Sequence, residues 1–148
     1  TAGSIPWGVL LLFAGGITMA RGFVETGLSE VLAGQLTVLA DLPVWLMVLC
    51  ICLGVTFLTE MTSNTATTSL LMPVLAATAV AADIPPELLM VPAAISASCA
   101  FMLPVATAPN AVVYGSGRVS IREMAREGMV INLFGAMIVT LVVTLRFG

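Results

Sequence analysis

A block of polar residues, positions 59–69, interrupts a long apolar stretch near the middle of the chain. Residues 44–58 before it and residues 70–82 after it are almost entirely apolar. Lipid supplies no water to hydroxyl, amide or carboxylate groups, so polar groups at membrane depth need a partner within the protein or a ligand. This block constrains the fold strongly, and we interpret it as a ligand-binding segment.

The composition of the whole chain excludes an ordinary soluble domain. Its 148 residues are 59% hydrophobic and 9% charged, and the mean hydropathy is +1.13. These values predict an all-α integral membrane chain. The net charge of −3, with no Lys and no His, excludes a nucleic-acid-binding surface. Because the chain opens on Thr1 without an initiator Met, we expect it to be a piece of a larger protein.

The two apolar segments beside the polar block are each short for a membrane span. Residues 44–58 would form about 22 Å of helix against a hydrocarbon core of roughly 30 Å. Acidic residues at both outer ends, Asp41 and Asp83, favour a re-entrant hairpin over residues 42–82 that enters and leaves the membrane on one side. The alternative, a single interrupted span, would place the two acids on opposite sides.

The remaining chain predicts further membrane helices. Residues 1–41 read as a scaffold-type transmembrane helix, over the apolar run 5–20, followed by an amphipathic interfacial helix. Residues 88–148 read as a broken transmembrane helix and a last transmembrane helix, because Pro104 and Pro109 cannot both lie inside a regular helix. The expected helical pieces of this last region cover residues 88–103, 111–117 and 129–145.

Three of the five arginines, Arg118, Arg122 and Arg126, lie in one connection between apolar segments. The positive-inside rule places residues 118–126 in the cytoplasm of a multi-pass plasma (inner) membrane protein. The hairpin would then open from the external face.

Both breaks have the residue types that bind an anion. A break in a helix exposes N–H groups where the second half begins and C=O groups where the first half ends. Ser63, Asn64 and Thr65 stand at the start of the second hairpin helix, and Thr107 and Asn110 stand in the same relation to the second break. Their hydroxyl, amide and N–H groups are suited to a carboxylate.

The breaks contain no basic residue, so a doubly negative ligand would need bound cations as its countercharge. The candidate ligands for Na⁺ are side-chain and backbone oxygens at five positions: Thr59, Thr62, Asn64, Ala106 and Ala108. Discontinuous helices near the membrane midplane are typical of secondary transporters. The sequence therefore predicts cation-coupled anion transport, with Na⁺ as the co-transported ion.

The motif Ser63-Asn64-Thr65 within residues 59–67 resembles the signature of the divalent anion/sodium symporters, which carry dicarboxylates, citrate and sulfate. Residues 6–16, 26–29 and 106–110 are similar to the carboxyl-terminal half of that family. The resemblance implies one half of an inverted-repeat, elevator-type carrier with one hairpin per repeat. It also implies a homodimer and an amino-terminal half that this chain does not include.

The resemblance implies roles for individual residues. Ser63, Asn64, Thr65 and Thr107 would contact the anionic substrate. One Na⁺ site would be formed by Thr59, Thr62 and Asn64 with the backbone of Ala106 and Ala108. Family members often have Pro at the position of Ala108, so this chain departs from the family there.

Other functions stay open on the sequence. A related carrier that uses H⁺ or a different anion, and an inert structural membrane fragment, are the main alternatives. A channel would need a continuous path, which a hairpin tip would block. The chain is not expected to be an enzyme, because without His or Lys it offers only Ser, Thr and Glu60 for chemistry. Glu60 itself can be a coupling carboxylate, a helix cap or an interhelical hydrogen-bond partner, and structural support is favoured.

Overall fold

The computed structural model describes residues 43–147 without a gap, together with residues 14, 15, 18, 21, 22, 25–28 and 31. The scaffold helix and interfacial helix predicted over residues 1–41 lie largely outside the described residues. Within residues 43–147 the chain forms five α-helices and no strand. They are α1 (Val44–Met61), α2 (Asn64–Ala81), α3 (Glu87–Ser96), α4 (Ala108–Gly115) and α5 (Ile121–Phe147).

Three of these helices, α1, α2 and α5, are long and apolar enough to cross a membrane. For residues 43–147, the prediction of an all-α integral membrane chain is therefore confirmed. Helices α1 and α2 have 18 residues each, or about 27 Å, so both are longer than the apolar segments 44–58 and 70–82, although each is still shorter than a hydrocarbon core of roughly 30 Å. The polar residues Thr59 and Glu60 belong to the last turn of α1, and only Thr62 and Ser63 are non-helical between the two helices.

Helices α1 and α2 pack antiparallel, with α3 against both. Near the start of α1, Met47 shares an apolar cluster with Ala79 at the end of α2 and with Leu89 of α3. Nearer the tip, Val55 shares a second cluster with Leu71 of α2. Leu89 of α3 belongs to the first cluster, and Ala93 of α3 and Ala97 just after it belong to the second. Helix α3 therefore packs against both α1 and α2.

Helix α5 runs antiparallel along α1 and also packs against α3. Val48, near the start of α1, lies in one cluster with Val143, near the end of α5. At the opposite end, Glu60 of α1 contacts Asn132 of α5. The last turn of α1, the loop after α3 and the first half of α5 therefore meet at one end of the bundle.

The second break is longer than the sequence predicted. Helix α3 ends at Ser96, and residues 97–107 are non-helical before α4 begins at Ala108. Pro104 lies in this loop, and Pro109 lies in the first turn of α4, where a helix tolerates proline. The expectation of a helix through residue 103 is wrong because the N–H groups of residues 101–103 bond to a distant carboxylate instead of preceding carbonyls.

The last helix is also longer than expected, since α5 is continuous from Ile121 to Phe147. Ser120 and Glu123 form a reciprocal capping box, in which the Glu123 N–H donates to Ser120 Oγ and the Ser120 N–H donates to Glu123 Oε2. Arg122 and Arg126 consequently lie in the first two turns of this helix and not in a separate short segment.

Candidate functional site

An open cleft of about 480 Å³ separates the two helix breaks. One wall is the tip between α1 and α2, and the other is the end of the second break. The structure brings all four residues predicted to contact substrate to this cleft, and their roles as ligands stay predictions. The lining consists of Met61, Thr62, Ser63, Asn64, Thr65, Val105, Ala106, Thr107 and Ala108.

Both walls present the beginning of a helix to the cleft. Ser63 is the N-cap of α2, and its Oγ accepts the N–H of Ala66 at 3.5 Å. Thr107 is the N-cap of α4, and its Oγ1 accepts the N–H of Asn110 at 3.3 Å. The first N–H groups of a helix have no partner within the helix and lie at the positive end of its dipole. Two such ends at one cleft favour a negatively charged ligand.

Thr62 lines the cleft, and its hydroxyl bonds within its own break. Its Oγ1 donates to the carbonyl of Leu58 at 2.9 Å and lies 2.6 Å from Thr67 Oγ1. When Thr62 donates to Leu58, the Thr67 hydroxyl is the donor between the two threonines. Thr62 then keeps one lone pair available to a cation.

Thr59 lies beneath the cleft and not on its surface, because its side chain is fully buried. Its Oγ1 is 2.6 Å from Asn64 Oδ1 and 2.9 Å from the carbonyl oxygen of Ala97. A hydroxyl carries one proton and can donate to only one of these acceptors at a time. Three oxygen atoms therefore lie close together beneath the cleft: Thr59 Oγ1, Asn64 Oδ1 and the carbonyl oxygen of Ala97.

Ala106 and Ala108 line the wall opposite Thr62 and Asn64. Neither has a side-chain oxygen, so any contribution to a cation would come from the backbone. The predicted Na⁺ residues thus divide into four on the cleft and one, Thr59, buried beneath it.

Glu60 is an interhelical hydrogen-bond partner, which is one of the roles that the sequence left open. Its side chain is buried, and Oε1 accepts the N–H groups of Phe101 at 2.7 Å and Met102 at 2.8 Å. Oε2 accepts the N–H of Leu103 at 3.0 Å, and the Asn132 amide donates to Oε1 at 2.7 Å. Glu60 does not line the cleft.

Two residues that support the second break were not assigned such a role from the sequence. The sequence groups Asn110 with Thr107 at the second break, and in the structure Asn110 Nδ2 donates to the carbonyls of Ala100 at 2.9 Å and Leu103 at 3.0 Å. Asn132 is fully buried against Glu60. An Asn in an apolar span is a signal in itself, since polar side chains in membrane helices usually face a partner.

Gly128 is a third supporting residue that the sequence did not reveal. A Cβ at this position would overlap the Phe101 carbonyl and lie 2.7 Å from Met102 Cα. The absence of a side chain at Gly128 therefore allows the second break to pack directly on α5.

Comparison with known proteins gives a consistent result. The model of the family described as the sodium:sulfate symporter transmembrane region matches residues 2–148. The chain is 49% identical over 142 residues to the "Sodium-dependent dicarboxylate transporter SdcS" of Staphylococcus saprophyticus, and 50% identical over 142 residues to the protein of the same name from Staphylococcus aureus. Each match covers 96% of this chain and 27% of the relative. The resemblance inferred from the sequence motifs is thereby confirmed.

Proposed function

Because this chain belongs to the sodium:sulfate symporter family, we propose that it is part of a secondary active transporter that couples Na⁺ to the uptake of a divalent anion. The matched relatives are named as transporters and the family is one of symporters, so the chain is not an enzyme. The same family implies Na⁺ as a co-transported ion and not as a prosthetic group.

The observation that carries this proposal is the uncharged cleft between the two breaks. Its lining contains hydroxyls, an amide and two helix N-termini but no basic side chain. The helix ends favour an anion, but they supply only partial charges. A dianion in such a cleft would carry uncompensated charge unless cations bound beside it, and Na⁺ is suited to the oxygen atoms there.

We assign the cleft residues to two overlapping sites. Ser63, Asn64, Thr65 and Thr107 would contact the carboxylates of the substrate, since they surround the two helix N-termini. The Na⁺ would be held by Thr59, Thr62, Asn64, Ala106 and Ala108, with Thr59 acting from beneath through its contact to Asn64. Asn64 belongs to both sites, so substrate and Na⁺ would stabilise each other.

A dicarboxylate is the substrate class we favour over citrate and sulfate. Both relatives described above carry the name dicarboxylate transporter, and about half of the aligned residues are identical to this chain. The hydroxyl and amide donors of the cleft would serve any of the three anions, so the preference depends on the relatives.

For the architecture, we propose that residues 42–82 form a re-entrant hairpin and residues 88–148 the rest of a transport domain, with residues 1–41 in the scaffold. The chain spans 27% of the length of the relatives, which supports a part of a longer carrier. On the resemblance of its motifs, we propose that this is the carboxyl-terminal part of an inverted-repeat, elevator-type carrier. The complete carrier would be a homodimer in the plasma membrane, with residues 118–126 in the cytoplasm. The antiparallel packing of α1 and α2 is consistent with the hairpin.

The test is uptake of radiolabelled succinate, citrate and sulfate by the full-length protein in proteoliposomes, with an inward Na⁺ gradient or with choline in place of Na⁺. We expect saturable succinate uptake that requires Na⁺. Uptake driven by a pH gradient without Na⁺ would contradict the assignment and favour the H⁺-coupled alternative. Uptake that does not saturate with succinate would favour a channel.

A further inference from the structure

We propose that Glu60 is a positioning residue for the cleft, because its buried carboxylate fixes the second break against the tip of the first. This inference deepens the proposed function and depends on it for its kinetic consequences. The Glu60 side chain does not line the cleft, and none of its hydrogen bonds goes to a proposed ligand. It acts through residues 101–103, which lead directly into the wall formed by residues 105–108.

The carboxylate of Glu60 occupies a nest of consecutive backbone N–H groups. Phe101, Met102 and Leu103 all donate to it at 2.7–3.0 Å, so three successive peptide units are oriented around one anion. Such concave arrangements of N–H groups bind anions, and hydrogen bonds to an ionised acceptor are stronger than neutral ones. The conformation of the second break therefore depends on a negative charge supplied by α1.

Helix α5 contacts both the Glu60 carboxylate and the backbone of the second break. Gly128 and Asn132 are four residues apart and lie on one face of α5. Asn132 donates to the Glu60 carboxylate at 2.7 Å, and Gly128 leaves the space that the Phe101 carbonyl occupies. We call the set of Glu60, Asn132, Gly128 and residues 101–103 the carboxylate clamp.

The last turn of α1 holds both breaks at once. Thr59 contacts Asn64 at the tip and the carbonyl of Ala97 at the start of the second break. Glu60, the next residue, holds residues 101–103. The two walls of the cleft are thus attached to two adjacent residues of one helix. The carboxylate clamp would keep the separation of the walls constant while substrate and Na⁺ bind and leave.

Glu60→Gln is the most informative substitution because it keeps the shape of the side chain and removes its charge. An amide has one acceptor oxygen, and Oε1 accepts three of the four bonds. The lowest-cost orientation keeps that oxygen in place and turns the NH₂ group toward the Leu103 N–H, where two donors face each other. The disturbance would therefore fall at Leu103, three residues before Ala106.

The clamp is tested by the distance between the walls in the full-length protein, measured without substrate or Na⁺. Met61 and Val105 line the cleft on opposite walls and are 82% and 85% exposed, so Met61→Cys and Val105→Cys provide positions for a spin-label pair. Pulsed electron paramagnetic resonance then reports the distance distribution in a background without other reactive cysteines. Glu127→Gln is the matched control, because Glu127 is exposed and pairs with Arg126 on the surface.

We expect one narrow distance in the parent and in Glu127→Gln, and a broader, shifted distribution in Glu60→Gln. Asn132→Ala removes one of the four donors and should give a smaller change in the same direction. In transport assays, Glu60→Gln should raise the KM for succinate about tenfold, as loss of one charge-assisted hydrogen bond would, with a smaller change in kcat.

An unchanged distribution in a folded Glu60→Gln variant would overturn the clamp. If Glu60→Gln does not fold, the Asn132→Ala distribution decides, and a distribution identical to the parent would likewise overturn the proposal. Because the distances are measured without ligands, they stand apart from the proposed function. A parent protein that fails to take up succinate with Na⁺ would refute the function and leave the distance result to decide the clamp.

Discussion

The two breaks that form the cleft are stabilised in different ways. At the tip between α1 and α2, residues 59–65, only Thr62 and Ser63 are non-helical, and the hydrogen bonds of these two residues join positions three to five apart. In the second break, residues 97–107, the N–H groups of residues 101–103 donate to the carboxylate of Glu60, which lies 41 to 43 positions earlier in the chain. The short break is supported by its own sequence, whereas the long one depends on tertiary contacts.

This difference indicates that the two walls of the cleft have different roles. The tip carries most of the proposed ligand groups on a locally stable turn. The second break contributes Thr107 and backbone groups, and its position is imposed by α1 and α5. Substitutions at the tip should therefore affect binding first, and substitutions around the second break should affect stability and the geometry of the site.

The largest effect is expected at the tip, for Asn64→Ala in the full-length protein. This change removes the amide that belongs to both proposed sites and that contacts Thr59 at 2.6 Å. Na⁺-dependent uptake of succinate should be abolished while expression in the membrane is retained. Thr68→Val, one turn further along α2, is the control and should keep uptake. Normal uptake by Asn64→Ala would refute the assignment of the tip.

The next effect should appear at the second break, for Gly128→Ala. The added Cβ would lie 2.7 Å from Met102 Cα, and backbone cannot move aside as a flexible side chain can. We expect a loss of about 1–3 kcal/mol in the free energy of unfolding, as for other overpacked sites, seen as a lower thermal midpoint in detergent. Gly135→Ala on the same helix has nothing within 4 Å of its Cβ and serves as the control. Equal midpoints for the two variants would show that the second break does not depend on α5.

Thr107→Ala should have a smaller effect and separates the two ligands. Thr107 caps α4 and lines the cleft, so its loss removes one neutral hydrogen bond worth about 1 kcal/mol. The KM for succinate should rise about fivefold with a smaller change in the Na⁺ concentration that gives half-maximal uptake. The opposite pattern would move Thr107 from the substrate site to the cation site.

The smallest effect is expected for Thr67→Val, which tests whether the tip supports itself. The Thr67 hydroxyl bonds to Thr62, but Thr62 also donates to Leu58. Removing one of these two local bonds should cost about 1 kcal/mol or less in the free energy of unfolding. A thermal midpoint lowered as much as by Gly128→Ala would show that the tip, like the second break, depends on a single contact.

The same difference explains what the sequence predicted. The positions of both breaks could be predicted from the sequence because each is marked by neighbouring residues. The first is marked by a cluster of hydroxyl residues around Ser63, and the second by the pair Pro104 and Pro109. The residues Ser63, Asn64, Thr65 and Thr107 follow directly from those signals, and the structure brings them to one cleft.

The ends of the helices could not be predicted from the sequence, because they depend on contacts with residues far away in the chain. Helix α1 continues through Glu60 because that carboxylate is satisfied by residues 101–103 and by Asn132, which is 72 positions away. Helix α3 does not extend to Pro104, because the N–H groups of residues 101–103 bond to the same carboxylate. Neither composition nor periodicity around residue 60 indicates which backbone N–H groups its side chain will meet.

We propose that the two breaks form a single binding site, and protection of thiols placed on each wall tests this directly. Met61→Cys and Val105→Cys, each alone in the full-length protein without other reactive cysteines, place one thiol on each wall of the cleft. The rate of alkylation of each thiol is measured against succinate concentration in the presence of Na⁺. We expect succinate to protect both thiols with the same half-maximal concentration, and we expect this protection to be lost when choline replaces Na⁺. Protection of only one wall, or two different half-maximal concentrations, would contradict a shared site.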